Sequence, residues 1–341
     1  IIGRATGPLL QWLETSVFPE EARLNRRRYA ARVATEMIDR MIAMGTTTAA
    51  VFSSSSETAT HAFFAEAERR GIRAFAGMSF MDVRSPKALR VARKEALAGA
   101  ERLYRRWHGT AERLFVAVTP RFALSCSKSL LRDAGRFAAE HELVIQTHIG
   151  ETLEEGRRTL EVFRDAKHYV DVYERAGLLT ERTILAHAIH LSAAEWRRVV
   201  ARGASIAHCP DSNFFLGSGR MKSKAALERG VVVGLGSDVA AGRSFSIRRA
   251  MAHGYDNALA VGAPLTQAQL FHMATVGGAR ALGLAGDVGT LEVGKYADLA
   301  VYTVRTSIRE ADAILAELVF DTDAPRASDV YVAGRRLSPE H

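Results

Sequence analysis

The sequence is poor in cysteine and contains no long hydrophobic run. Cys126 and Cys209 are the only cysteines among 341 residues, which excludes a disulfide framework and a zinc ribbon built on paired cysteines. No stretch approaches the ~18 consecutive apolar residues that a transmembrane helix needs. No basic start is followed by an apolar run, so no signal peptide is visible. These absences predict a reducing, cytoplasmic location and no membrane partner.

The composition is that of a globular protein with a large core. Hydrophobic residues make up 48% and charged residues 25% of the chain, which excludes global disorder. A formal net charge of +8 could attract nucleic acid. However, the arginines are scattered over amphipathic helical patterns, and no aromatic residues interleave them. We therefore expect a solvated basic surface and no nucleic-acid partner.

Short β-rich runs alternate with longer amphipathic helical patterns. Most of these runs are almost continuously apolar, which is typical of parallel strands buried on both faces. Ser127, and Ser192 together with Glu195, have the positions of helix N-terminal caps, and Gly203 has the position of a glycine just past a helix end. Seven runs have this character: residues 46–53, 73–80, 114–120, 143–148, 183–187, 205–208 and 231–238.

This alternation predicts an α/β fold, a (β/α)8 barrel of the TIM type. A closed barrel needs eight strands and the pattern starts with a helix, so we expect the first strand to precede Ile1 in a longer natural protein. Near the other end, residues 289–303 and 328–337 resemble strands of a small antiparallel sheet. We therefore predict a barrel over residues 1–285 and a small accessory β domain, a β-sandwich remnant, over residues 286–341.

Polar residues follow four successive strands of this barrel. The strands end in His148, His187, His208 and Asp238, and active sites of such barrels lie at the carboxyl ends of the strands. Imidazole and carboxylate groups suit Zn²⁺, with Fe²⁺ and Mn²⁺ as alternatives. Glu151 follows His148 by three residues, where a carboxyl group can stand beside a metal and move a proton. The sequence therefore predicts a metal-dependent hydrolytic site without the H-E-x-x-H motif of zincin proteases.

Several motifs resemble those of the amidohydrolase superfamily and, within it, of the guanine deaminases. The resemblance extends over essentially the whole chain. The GSD and VGKYADL motifs mark the superfamily, whereas TPRF and LLQWL are more specific. The matching segments are LLQWLETSVFPEEAR, TPRFALSCS, QTHIGE, SIAHCPDSN, GLGSDVAAGRSFS and LEVGKYADLAVY.

The resemblance implies a reaction and its catalytic groups. It implies hydrolytic deamination of guanine to xanthine and ammonia by hydroxide that a metal, expected to be Zn²⁺, activates. His148 and Asp238 would be metal ligands, and His187 would be a further ligand or would polarise the attacking hydroxide. Glu151 would be the proton shuttle. The family gives His208 no metal role, and we interpret it as a structural residue.

The resemblance also implies the residues that bind the purine. Arg121 and Phe122 would contact the ring and Trp12 would form a wall of the pocket, together with the catalytic His148, Glu151 and Asp238. The donor-only fork of an arginine matches the O6 and N7 acceptors of guanine, and aromatic side chains pack on a flat ring.

One departure from the family leaves alternatives open. The family carries an H-x-H ligand pair at its first strand, and no two of the 11 histidines here are two residues apart. A deaminase of another aminated heterocycle, such as an 8-substituted purine or a triazine, would use the same machinery. A binding or scaffold protein without activity is a third hypothesis.

The sequence does not determine whether the protein is a monomer or a homodimer, although large barrels commonly dimerise.

Overall fold

Parallel strands, each followed by helices, form the body of the molecule. The computed structural model describes residues 1–4, 7–305, 307, 309–323 and 326–338. The parallel strands are β1 (Thr48–Phe52), β2 (Arg73–Gly77), β3 (Ser79–Phe80), β4 (Leu114–Val116), β5 (Thr119–Pro120), β6 (Ile145–Ile149), β7 (Thr183–His187), β8 (Ser205–His208) and β9 (Val233–Leu235).

These strands are seven barrel strands in chain order. Strands β2 and β3 are two parts of one run, as are β4 and β5. Neighbours in sequence are neighbours in space: β1 pairs with β2, β2 with β4 and β3 with β5. A parallel bridge between Val118 and Ile145 joins this half to β6, after which β6, β7, β8 and β9 pair in succession. The predicted parallel barrel class and all seven predicted strands are confirmed.

Helices cover the outside of the sheet. The predicted caps are present: the side chain of Ser127 accepts from the backbone N–H of Leu130, and Ser192 and Glu195 form a reciprocal capping box. The helices are α1 (Leu9–Trp12), α2 (Phe18–Ala22), α3 (Arg27–Ala43), α4 (Glu57–Arg70), α5 (Arg93–Trp107), α6 (Lys128–Glu140), α7 (Leu153–Val162), α8 (Tyr169–Arg175), α9 (Ala193–Ala201), α10 (Pro210–Phe215), α11 (Ser223–Glu228), α12 (Ile247–Ala260), α13 (Gln267–His272), α14 (Gly278–Ala281) and α15 (Ala311–Phe320).

The first two helices form a cap against the barrel. A π-helical turn, Leu13–Val17, joins α1 to α2. Together these elements bury an apolar face that includes Leu9, Trp12 and Phe18. That face packs in one cluster with Phe122, which follows β5. We call residues 8–25 the N-terminal cap. Apolar burial of this kind is what holds the cap in place.

The C-terminal part contains the predicted antiparallel sheet. Its strands are β10 (Leu299–Val301), β11 (Asp329–Val332) and β12 (Arg335–Leu337), in the order β10-β11-β12. The strand predicted over residues 289–303 is much shorter than expected. Gly289 and Gly294 have φ values of +98° and +97°, a backbone conformation that interrupts an extended chain. The proposed domain boundary at residue 286 stays a prediction.

A buried ion pair joins this sheet to the barrel. Arg73 of β2 donates from Nε to Asp298 Oδ2 at 2.9 Å and from Nη2 to Asp298 Oδ1 at 3.2 Å. Both side chains are only 2% exposed. Arg73 Nη1 also donates to the carbonyl of Glu112, and Asp298 Oδ1 accepts from the backbone N–H of Ala333. Every guanidinium nitrogen of Arg73 and both carboxylate oxygens of Asp298 thus have a hydrogen-bond partner, in a site almost inaccessible to water.

Among the described residues, no helix combines the length and the hydrophobicity needed to cross a membrane.

Asp298→Ala should lower the free energy of unfolding by about 3–5 kcal/mol, because it leaves a buried guanidinium without its counter-charge. The measurement is chemical denaturation followed by circular dichroism. Glu161→Ala is the control, since Glu161 pairs with Arg157 on an exposed helix face. Its loss should cost less than about 0.5 kcal/mol. A cost below about 1 kcal/mol for Asp298→Ala would contradict the anchoring role.

Candidate functional site

A cavity at the carboxyl ends of the barrel strands collects the predicted site residues. Its volume is about 420 Å³, within the range of small-molecule sites. The N-terminal cap forms one side of it, and the ends of the strands form the other. The predicted residues among its lining are Trp12, Arg121, Phe122, His148, Glu151, His187 and Asp238.

Three potential metal ligands converge in this cavity. One ligand atom from each of His148, His187 and Asp238 lies within 4.8 Å of the others. The two imidazole rings are stacked, with centroids 5.5 Å apart. Two nitrogens and one carboxylate oxygen at this spacing fit a single divalent cation such as Zn²⁺. The structure thus brings together three residues that are separated by up to 90 positions in the sequence.

The backbone that carries two of these ligands is in an uncommon conformation. His187, Ala188 and Asp238 have φ values of +70°, +49° and +46°, in the left-handed region that non-glycine residues seldom adopt. Such conformations cost of order 1–3 kcal/mol each and concentrate at functional sites. Here they occur where β7 ends and just after β9, at the turn of the chain into the cavity.

His148 is held in one orientation by a backbone group. Its Nδ1 lies 2.6 Å from the carbonyl oxygen of Arg121, so Nδ1 carries the hydrogen and donates it. This tautomer leaves Nε2 as the free lone pair. Burial and the neighbouring His187 lower the pKa of His148 to about 3. The imidazole is therefore neutral, which is the form that binds a metal.

His187 lies between an amide and two carboxylates. Its Nδ1 is 2.9 Å from Oδ1 of Asn213, whereas its Nε2 is 3.5 Å from Glu151 and 3.9 Å from Asp238. Burial lowers the pKa of His187, but Glu151 and Asp238 outweigh it, so the pKa lies above its ordinary value. The amide oxygen of Asn213 can only accept, which places a hydrogen on Nδ1 and directs Nε2 to the carboxylates. The sequence motif SIAHCPDSN contained Asn213 but gave no sign of this contact.

Glu151 is positioned beside the three ligands. Its Oε1 accepts a hydrogen bond from Ser218 at 3.0 Å, and its Oε2 is the atom that approaches His187. Burial raises the pKa of this carboxyl group, with Asp238 adding to the effect and His187 opposing it. A raised pKa suits a carboxyl group that must both give and take a proton.

A second buried carboxyl group supports the first and was not predicted. Glu155 accepts at Oε2 from the backbone N–H of Glu151 at 3.0 Å, and its other oxygen accepts from the hydroxyl of Tyr169. Burial raises the pKa of Glu155 to about 7, although the Tyr169 hydrogen bond opposes the shift. Tyr173, one turn beyond Tyr169, donates to the carbonyl of His148 at 2.8 Å. Helix α8 thus braces the strand end that carries the site.

The residues predicted to bind a ring lie on the cap side of the cavity. Arg121 donates from Nη1 to Oε2 of Glu21 in the cap, at 2.6 Å, and its guanidinium lies 5.2 Å from the ring centroid of Phe18. Phe122 and Trp12 are buried in the apolar cluster that fastens the cap. Glu21 is therefore a further cavity residue that sequence analysis missed, although the segment FPEEAR contained it.

His208 is placed apart from the ligands. It is fully buried, and neither ring nitrogen has a hydrogen-bond partner among the described residues. It belongs neither to the cavity lining nor to the group of converging ligand atoms. Burial lowers its pKa to about 3, so the ring is neutral. Its interpretation as a structural residue stays a prediction.

The geometry agrees with what comparison with known proteins shows. The model of the amidohydrolase family, whose members are typically metal-dependent, matches residues 1–337. The guanine deaminase of Pongo abelii is 35% identical over 358 residues, covering 97% of this chain and 78% of that protein. The solved structure of E. coli guanine deaminase superposes with a TM-score of 0.93 at 32% identity, covering 98% of this chain and 80% of that one. Guanine deaminase from C. acetobutylicum, solved with guanine in its active site, has a TM-score of 0.91 at 29% identity, covering 98% and 82%. The chain belongs to the amidohydrolase family.

Proposed function

We propose that this protein is a guanine deaminase, which hydrolyses guanine to xanthine and ammonia. The observation that carries the proposal is the single cavity lined by His148, Glu151, His187, Asp238 and Arg121. The similarity to guanine deaminases, one of them with guanine bound, supports guanine as the substrate. Arg121 and Phe122, which line the cavity, favour guanine over the alternative substrates, 8-substituted purines and triazines.

A divalent metal, for which we propose Zn²⁺, would be held by His148 and Asp238. His187 would be a further ligand or would polarise the attacking hydroxide. The chemistry that such a metal supplies is a lowered pKa of water, which yields a nucleophile near neutral pH. Fe²⁺ and Mn²⁺ have the same preference for imidazole and carboxylate donors and stay alternatives. The H-x-H pair of the family does not occur in this sequence, so these three residues are the donors that the chain itself contributes.

The protein's own residues account for the proton transfers. Glu151 takes one proton from the attacking water molecule, whose oxygen forms a bond to C2 of guanine, and delivers that proton to N3, which makes C2 tetrahedral. Glu151 then returns the remaining hydroxyl proton to the exocyclic nitrogen, the C2–N bond breaks, and ammonia leaves. Its position, 3.5 Å from His187 Nε2 and held by Ser218, keeps the carboxyl group beside the reacting atoms. His187 would orient the attacking oxygen through Nε2, because its Nδ1 is engaged by Asn213.

The other side of the cavity would hold the ring. Arg121 would donate to the O6 and N7 edge of guanine, while Phe122 and Trp12 would pack against the flat ring. These roles follow from residue chemistry and from the position of all three residues in the cavity lining. From the sequence we further propose a cytoplasmic location. Whether the protein is a monomer or a homodimer is not determined by the sequence.

Glu151→Gln should lower kcat by about 10²–10⁴-fold, because the amide cannot carry the proton between water and the leaving amine. Ammonia release from guanine by the metal-loaded, full-length protein measures this. Glu154→Gln is the matched control, because Glu154 lies three residues further along the chain, in α7, at the surface, and pairs with Arg157 and Arg158. Full activity in Glu151→Gln would remove the shuttle assignment, and a wild-type protein that releases no ammonia from guanine would falsify the proposed function.

Asn213→Leu should lower kcat by about 10–100-fold, because it removes the acceptor that fixes the orientation of His187. Asn213→Asp should retain more activity, since its carboxylate still accepts from Nδ1. The control is Asn257→Leu, which removes a buried amide that donates to the carbonyl of Met221. That variant should lose stability without losing kcat. If both leucine variants change kcat equally, Asn213 has only a general structural role.

A further inference from the structure

The carboxylate of Glu21 is paired on one side only. Its Oε2 accepts from Arg121 at 2.6 Å, and the side chains of Glu21 and Arg121 are 10% and 14% exposed. The other oxygen, Oε1, is buried and has no hydrogen-bond partner among the described residues. Glu21 lies in the lining of the catalytic cavity. Burying a carboxylate oxygen without a hydrogen-bond partner costs free energy, so a ligand that donates to this atom would be stabilised.

The pair combines opposite hydrogen-bonding characters at one place. The guanidinium of Arg121 is a donor only, and an ionised Glu21 is an acceptor only. Their nitrogen and oxygen atoms are in contact, so a ligand beside both meets a donor and an acceptor side by side. A lactam, in which a carbonyl oxygen adjoins an N–H, presents the complementary pattern. In guanine this group is O6 with N1–H.

We propose that Glu21 is a specificity-determining residue that accepts the N1–H of the purine while Arg121 donates to O6. The pair would select 6-oxopurines and reject 6-aminopurines, in which N1 is an acceptor and the 6-substituent is a donor. This inference rests on the proposed function, since it concerns the substrate of the same cavity. It adds a residue of the N-terminal cap to the groups that touch the substrate.

The surroundings of Glu21 favour this role over a purely structural one. A carboxylate needed only to neutralise an arginine could lie at the surface, as that of Glu161, which pairs with Arg157, does. Oε1 of Glu21 is instead buried at the cavity wall, with the ring of Phe18 beneath the guanidinium. The cap that carries Glu21 is fastened by apolar contacts of Leu9, Trp12 and Phe18, which do not depend on the ion pair.

The test is the ratio of kcat/KM for guanine to kcat/KM for 2,6-diaminopurine, measured on the metal-loaded, full-length protein. Both compounds carry the same reacting 2-amino group, and they differ at position 6 and N1. Glu21→Gln should lower this ratio by about 10- to 100-fold. An amide has one oxygen and one NH2 group, so glutamine places a donor at one of the two positions where glutamate has an acceptor, facing either Arg121 or N1–H. Glu21→Asp, which keeps two acceptor oxygens, should retain more of the preference.

The control and a second measurement separate this inference from the proposed function. Glu14→Gln changes an exposed carboxylate of the cap and should leave the ratio unchanged. If the wild-type protein deaminates guanine but Glu21→Gln lowers kcat/KM equally for both substrates, only the role of Glu21 is overturned. Should Glu21→Gln fail to fold, calorimetric titration of the wild-type protein with hypoxanthine and adenine decides. Hypoxanthine should bind at least about 10-fold more tightly, and equal affinities would overturn the inference.

Discussion

Carboxyl groups buried close together at the mouth of the barrel are the constraint on which the site depends. Glu21, Glu151, Glu155 and the partly exposed Asp238 all line one cavity. Like charges in a site that excludes water cannot all remain ionised without compensation. The structure compensates for these negative charges in three ways. The pKa values of Glu151 and Glu155 are raised, Glu21 forms an ion pair with Arg121, and imidazole rings lie beside Asp238. The same concentration of acceptors favours a divalent cation at the His148, His187 and Asp238 cluster.

The sequence predicted the barrel and the residues at its strand ends because both depend on local patterns. A buried parallel strand needs a nearly continuous apolar run, and such runs as TILAH and SIAH show it directly. Once the strands are placed, the barrel brings His148, His187 and Asp238 to the same end. The length of the strand predicted over residues 289–303 was overestimated because the segment has β-like composition, whereas Gly289 and Gly294, with positive φ values, interrupt its extended path.

Contacts between distant segments could not be predicted in this way. Glu21 meets Arg121 across 100 residues, and Asn213 meets His187 across 26, so no periodicity connects either pair. Glu155 is a different case. It lies four residues after Glu151 and near the start of α7, where a carboxylate is common for reasons of helix capping alone. Only its burial and the contact with Tyr169 distinguish it from such a cap.

Arg121 joins the two sides of the cavity through different atoms. Its carbonyl oxygen fixes the tautomer of His148, on the side where the ligand atoms converge, whereas its guanidinium holds Glu21 on the side of the N-terminal cap. A side-chain substitution at position 121 removes the second contact but leaves the first, because every residue has a carbonyl oxygen. The proposed binding of the ring can therefore change while the candidate metal ligands keep their geometry. In the proposed function, the ends of β6, β7 and β9 would supply the groups for chemistry, whereas the end of β5 and the cap would together recognise the substrate, so the two functions can vary separately on one fold.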